Sequence, residues 1–384
     1  MRGRAARVRH RRPGTAFGRR RRRPSRRVPP GERSRPSHVG GSRMSGPTTG
    51  RIVAEISDLH VHFPIRHGRQ RLLARAVDGV DLTIHEREIV ALVGESGCGK
   101  TTIARTIMRL EDATSGSISV AGVDITHVGG RQLRTMRRDF QMIFQDPFES
   151  LPANSTAFDV VAEGLAIHHR QLDAPARREA AIAALAACGL PEAVTGRRMF
   201  ELSGGQRQRV AIASAVAVEP RLLVADEPVS MLDVSLRAGI LRVLLDLRER
   251  LGIATLFITH DLALAGVFAD RVAVLYLGCV VEQGTGAEVI ANPAHPYTRA
   301  LVEVMPKPGG RRGPRALLSG EPPNPTERVT GCRFAARCSL FRALGSPERC
   351  TTEPPALRSI GADHAVACHF WDAMAHSTAK EKIV

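Results

Sequence analysis

Gly94-Glu95-Ser96-Gly97-Cys98-Gly99-Lys100-Thr101-Thr102 decides the fold. The stretch fits G-x-x-x-x-G-K-[ST], the spacing of a phosphate-binding loop. The apolar run from Glu88 to Val93 precedes it and reads as a buried strand; Ile103, Ile107 and Leu110 follow at helical spacing. Strand, glycine loop, helix is the context this motif needs. Glycines let the backbone wrap a phosphate without Cβ clashes. The helix behind them aims free N–H groups and about half a positive charge at the same point. Lys100 is placed to reach the β- and γ-phosphates, and Thr101 to put its hydroxyl on Mg²⁺. Lysine is scarce here, with only Lys100, Lys307, Lys380 and Lys382. A lone lysine in an arginine-dominated chain marks a position that wants a compact ammonium.

A net charge of +17 resembles that of a nucleic-acid binder, but its distribution does not. Residues 1–43 hold 16 Arg and one acid, Glu32, so that segment carries +15 and the rest of the chain +2. Nucleic acid is therefore not expected as a partner. The segment is Arg, Pro, Gly and Ser with too few apolar residues to fold, and residues 1–50 are expected to be a disordered extension. Met44 offers an alternative start. No apolar run reaches the roughly 18–20 residues of a membrane span.

Downstream, Ile52–Phe63 and Ala76–Ile84 read as strands around a charged turn, Arg66–Arg71. Phe63 ends the first of these, where an aromatic ring is available to stack on adenine. Gln145-Asp146-Pro147 follows a short strand and offers an amide to Mg²⁺ or to an attacking water. Helices over Phe158–His169 and Pro175–Cys188 place a small helical subdomain at about 146–205. Leu202-Ser203-Gly204-Gly205-Gln206 opens another helix; it reads either as a plain cap or as a second anion pocket serving the nucleotide of another subunit. The run from Leu222 to Ala225 is a strand ending in Asp226 and Glu227. At the carboxyl edge of a parallel sheet, Asp226 suits Mg²⁺ and Glu227 suits polarising a water that attacks the γ-phosphate. Asp233 lies in a short acidic turn, and His260 ends another apolar strand, Ile253–Thr259, where it can bond the γ-phosphate.

Gly94–Thr101, Gln145, Leu202–Gln206, Leu223–Glu227, Asp233 and His260, in this order, resemble the nucleotide-binding subunit of an ABC transporter over about residues 52–290. The resemblance implies an α/β fold: a P-loop NTPase (RecA-like) core with antiparallel β and helical subdomains and a small Cys-containing C-terminal region. It implies ATP and Mg²⁺ as cofactors and a head-to-tail dimer with two sandwiched ATPs. Each ATP would lie between one subunit's Lys100 loop and the other's Ser203 and Gly205. It also makes Gln145 a Mg²⁺ sensor coupled to the membrane subunits, Asp233 a contact across the dimer, His260 a γ-phosphate ligand and Phe63 the adenine-stacking aromatic.

Asn292–Thr298 and Gly331–Cys338 further resemble the oligopeptide/dipeptide (peptide/nickel) importer branch, so residues 291–384 are expected to form its C-terminal region and 51–290 the ATPase domain. Phe140–Gln145 and Ser230–Asp233 lean toward the second of the two paired ATPases of such importers. The partners implied are a second ATPase subunit, identical or paralogous, two membrane permease subunits and, indirectly, a solute-binding protein. The location implied is peripheral, on the cytoplasmic face of the inner membrane. The competing class is a soluble ABC ATPase acting on ribosomes or nucleic acid, but such proteins usually carry two cassettes or a coiled-coil insertion. The chain departs from the family at Arg87, where a Gly usually begins the third strand, at Leu151–Asn154 and at Met231.

Cys332, Cys338, Cys350 and Cys368 contain no CxxC pair. Little apolar sequence surrounds them, so something other than a core is expected to hold residues 320–370 together. The readings are an iron–sulfur cluster, which the resemblance supports, a Cys₄ zinc site with His364 and His369 in reserve, and four unbound thiols.

Overall fold

A computed structural model describes residues 50–67, 70–305, 320–321 and 323–373. Apart from Gly50, the expected N-terminal extension lies outside them. The strands are β1 (Ile52–His67), β2 (Gln70–His85), β3 (Ile89–Val93), β4 (Ser115–Val120), β5 (Val123–Asp124), β6 (Phe140–Ile143), β7 (Leu222–Asp226), β8 (Ala254–Thr259), β9 (Arg271–Tyr276), β10 (Cys279–Thr285), β11 (Arg358–Ser359) and β12 (Ala365–Val366). They form two sheets. One is antiparallel, in the order β2-β1-β4-β5; the other is ordered β11-β12-β10-β9-β3-β8-β7-β6. In the second sheet β9, β3, β8, β7 and β6 are mutually parallel.

Every residue of β3, β7 and β8 is buried, as expected of parallel strands covered on both faces. β3 shows how the layers are built. Val90 and Leu92 face an apolar layer shared with Ile56, Leu59 and Val80 of the antiparallel sheet, while Ile89, Ala91 and Val93 face a second layer on the other side. The helix α1 (Lys100–Ile107) buries Ile103, Ala104 and Ile107 in the first layer. The second layer takes in the helical subdomain: α2 (Ala157–His168), α3 (Ala174–Ala187) and α4 (Gly204–Val216). Thr156 caps α2 with a reciprocal box to Asp159, and Asp173 caps α3 one residue ahead of its first turn, where Pro175 sits. The long helix α5 (Val234–Leu251) ends at Gly252 in the left-handed conformation, φ 69°.

The structure departs from the sequence reading in three places. Arg66–Arg71 is not all turn: β1 runs through His67 and β2 begins at Gln70, because the antiparallel β1–β2 hairpin ladder, pairing Arg66 with Arg71 and His67 with Gln70, extends both strands beyond their apolar alternation. β5 and a short helix, Gly130–Met136, lie in a stretch with too little periodicity to read. The largest correction concerns the C-terminal region, which does pack on the cassette. β12 pairs with β10 and extends the main sheet. Phe334 is buried against the rings of Tyr276 and Tyr297, the chain's two tyrosines, with centroids at 5.2 and 5.5 Å. The region is short of apolar residues because it borrows the cassette's core. Arg87, where the resemblance leads one to expect Gly, adopts φ 62°, so a left-handed turn is formed here by a side chain that resists it.

Candidate nucleotide site

The phosphate loop connects β3 to α1. A Cβ on Gly94 would come within 2.2 Å of the Leu275 carbonyl oxygen, and one on Gly99, at φ 108°, within 2.2 Å of that of Ala76. Both positions therefore require glycine. Lys100 is buried and its Nζ donates to the carbonyls of Gly94, at 2.7 Å, and Glu95, at 2.9 Å. Its ammonium thus spans the loop. Gly97 lies at φ 78° with open space around it, and Ser96 is exposed beside it. Cys98 is buried, and its Sγ lies 3.8 Å from Lys100 Nζ. Thr102 accepts the Thr106 hydroxyl on its carbonyl, within α1.

The acids arrive from β7, two strands away. Asp226 is buried, and its Oδ1 accepts from Thr101 Oγ1 at 3.4 Å. Burial pushes its carboxyl above the ordinary range, against the hydrogen bond from Thr101. A hydroxyl and a carboxylate oxygen side by side are the hard donors that Mg²⁺ takes. Glu227 follows at φ 44°, a sparsely populated conformation for a residue with a side chain. Its N–H donates to the Ile258 carbonyl at 3.0 Å. Gln145 Nε2 donates to Glu227 Oε2 at 3.2 Å, and His260 Nδ1 lies 3.2 Å from Oε1. The structure thus joins Gln145, Glu227 and His260 in one set of contacts and Thr101 with Asp226 in another, the two sets meeting where Asp226 and Glu227 adjoin in the chain; Lys100, which precedes Thr101, bonds instead to the loop carbonyls.

Other residues singled out in the sequence lie apart from these contacts. Ser203 caps α4, its Oγ accepting from Gln206 N at 3.3 Å while Gln206 Oε1 accepts from Ser203 N at 3.0 Å. Ser203 is exposed, Leu202 and Gly205 are buried, and a Cβ on Gly205 would crowd Leu236. Asp233 stands at the N-cap of α5 without a side-chain capping bond. Phe63 is partly exposed near the end of β1.

Sequence reasoning missed the contacts that bind the C-terminal region to the site. Arg337 donates to both oxygens of Glu95, at 2.8 and 3.1 Å, and Tyr297 Oη accepts from Glu95 N at 2.9 Å. Arg333 pairs with Asp78 on β2, whose other oxygen is approached by His60 Nδ1 at 2.8 Å and His62 Nε2 at 2.9 Å. Burial raises the Asp78 carboxyl, but its bonds to the two histidines and Arg333 outweigh this and hold it at about 2. The helix α6 (Pro296–Glu303) carries Tyr297, behind a His295 that burial holds down at about 4. The one available signal was Glu95 itself, an acid inside a phosphate loop, which calls for a cation nearby.

Cys332, Cys338, Cys350 and Cys368 line one cavity with Phe334, Phe341 and Phe370. Burial pushes Cys332 up to about 11 and Cys368 to about 12. Tetrahedral thiolates on one zinc, with Zn–S of about 2.3 Å, lie about 3.8 Å apart. Among the described residues, His60, His62 and Asp78 form the one group of three or more such ligand atoms within 4.8 Å of one another, so no three of these sulfurs approach that closely. The four thiols thus share one cavity, but no three of them close to the spacing of a single ion.

A family model described as ABC transporter matches residues 77–230, and one described as oligopeptide/dipeptide transporter, C-terminal region matches residues 281–343. A dimeric ATP-binding cassette in a post-hydrolysis state, bound to ADP and Pi, superposes with a TM-score of 0.55 at 29% identity, over 60% of this chain and 98% of that one. The oligopeptide transport ATP-binding protein OppF of Salmonella typhimurium is 41% identical over 326 residues, which are 83% of this chain and 96% of that protein. OppF of Escherichia coli K12 is 41% identical over 85% of this chain and 98% of its own length. A probable peptide ABC transporter ATP-binding protein of Sinorhizobium fredii is 42% identical over 83% and 89%. The chain belongs to the ATP-binding proteins of the ABC transporter family. Within that family it carries the C-terminal region of the oligopeptide/dipeptide branch.

Proposed function

We propose that this chain is the ATP-hydrolysing subunit of an importer for peptides or related solutes. It works as a dimer of cassettes beneath two permease subunits on the cytoplasmic face of the inner membrane. A solute-binding protein delivers the cargo to the permeases. The observation that carries the ATPase reading is the set of three contacts joining Gln145, Glu227, His260 and, through Asp226, Thr101. Among the described residues no helix is long and apolar enough to cross a membrane, which agrees with a peripheral subunit.

In this reading Lys100 and the loop N–H groups hold the β- and γ-phosphates. Thr101 and Asp226 hold Mg²⁺, which offsets phosphate charge when bound. Glu227 accepts a hydrogen bond from the attacking water and directs it in line with the γ-phosphate, while Gln145 and His260 fix its two oxygens. Ser203 and Gly205 serve the nucleotide of the opposing subunit, and Asp233 lies at the dimer contact. Phe63 stacks on adenine. The ATPase domain spans about residues 51–290, with the helical subdomain at 146–205. Cys332, Cys338, Cys350 and Cys368 hold a [4Fe–4S] cluster.

The test is purification from membranes after expression with neighbouring permease genes. Retention with the permeases and ATP-dependent turnover, lost in Lys100→Ala, support the reading; a chain that never associates with permeases overturns it. Anaerobic purification with iron and sulfide analysis tests the cluster separately, and a colourless, iron-free protein that folds normally excludes it.

A further inference from the structure

Glu95 is the second residue of a loop that receives a triphosphate, so its carboxylate repels the ligand unless it is neutralised or turned aside. The C-terminal region does both. Arg337 is buried, and its two Nη groups donate to the two oxygens of Glu95. Nη1 also donates to the Tyr276 hydroxyl at 3.4 Å, while Nε is buried without a partner among the described residues. The guanidinium also lies 5.8 Å from the centroid of the Tyr276 ring, in a wall completed by Tyr297 at 4.7 Å from that ring. From the same wall the Tyr297 hydroxyl accepts the Glu95 N–H, while the Glu95 carbonyl accepts from Lys100. Carboxylate, N–H and carbonyl of one loop residue are therefore each fixed, two of them by residues that follow the ATPase cassette in sequence.

We propose that Arg337 is a positioning residue for ATP binding: it neutralises Glu95 and holds it away from the phosphate path, so that the C-terminal region completes the phosphate loop in cis. This rests on the loop's role in ATP binding. A planar bidentate pair is not reproduced by a lysine, whose single ammonium reaches one oxygen at a time.

The experiment uses the full chain and follows ATP hydrolysis against ATP concentration, with thermal melting to monitor folding. Arg337→Gln is expected to raise the KM for ATP about 10- to 100-fold while kcat changes less than about 3-fold, and Arg337→Lys to fall between. The Glu95→Gln/Arg337→Gln double variant is expected to regain at least ten-fold of a hundred-fold loss, because the uncompensated carboxylate is gone. If Arg337→Gln alone does not fold, Glu95→Gln and the double variant supply the same test. Their KM values agree within two-fold if Arg337 acts through Glu95, by the logic of a mutant cycle. An unchanged KM in Arg337→Gln overturns the proposal, as does a loss from Arg337→Gln that is equally large with and without the Glu95→Gln substitution. Lys100→Ala in the same assay separates this from the broader reading: if turnover survives that change, the loop itself is not the ATP site.

Discussion

His260 Nδ1 lies 3.2 Å from Oε1 of Glu227, on the oxygen opposite the one that Gln145 reaches. The carboxylate is thus held from both sides, and its backbone is held at φ 44°. In the role proposed for Glu227, a carboxylate fixed in this way orients water without first rearranging.

Replacing Glu227 with Gln keeps the shape and removes the charge. Hydrolysis is expected to fall by about 10²–10³-fold, in the range for a lost general base, with ATP binding retained. Phosphate release, together with size-exclusion chromatography in ATP, checks this: the variant should accumulate as an ATP-bound dimer, and normal turnover would remove Glu227 from its role.

Glu282 is fully buried. It accepts from the N–H groups of Ala294 and His295, each at 2.8 Å, and its Oε1 lies 2.7 Å from His364 Nε2. Glu282→Ala leaves two backbone donors and Nε2 of His364 without their acceptor and is expected to cost about 3–5 kcal/mol. Denaturant unfolding measures it, and a loss under about 1 kcal/mol, no more than one ordinary hydrogen bond, would show that the network contributes little.

Arg87 occupies the left-handed region with a side chain. Arg87→Gly relieves that strain, offset in part by the larger entropy of glycine in the unfolded chain, for a net gain of about 0.5–1 kcal/mol. A rise in Tm of about 2 °C is expected; a fall would mean that the arginine makes contacts worth more than its strain.

His60 supplies a pH-dependent term. Burial lowers its pKa, but hydrogen bonds to Asp78 and Asp58 and their charges outweigh this and raise it above 6.5. The protonated form is favoured in the folded state, so this stabilisation is fully present below 6.5 and is lost as pH rises through the folded value. Asp78 has the opposite sign: its stabilisation is present above 3.8 and lost as pH falls through about 2. NMR titration of the His60 imidazole should show the raised value, and Asp78→Asn should bring it down; no change in that variant would discount the contact.

The parts of the site that could be read in the sequence are those encoded over short spans. Gly94–Thr102 announces a strand–loop–helix turn through its glycines, and Leu222–Glu227 announces a buried strand with acids at its tip. Position in the sheet then brings the two together, since parallel strands align their carboxyl ends. The Glu95–Arg337 pair spans 242 residues and leaves no periodic trace. β12 has only two residues, too few to show alternation, yet it anchors the C-terminal region. Its core was illegible for the same reason: Phe334 finds its apolar neighbours on β9 and α6 rather than nearby in sequence.

Three acids of the ATPase portion, Asp78, Glu95 and Glu282, find basic partners at Arg333, Arg337 and His364. A minimal ATPase cut from this chain near residue 292 would strip all three at once and uncover the aromatic face of Tyr276. Such a fragment would be a damaged protein rather than a smaller one, and kinetics measured on it would describe the wound. Chimeras that graft this cassette onto another permease system should carry residues 281–373 with it as one inheritance.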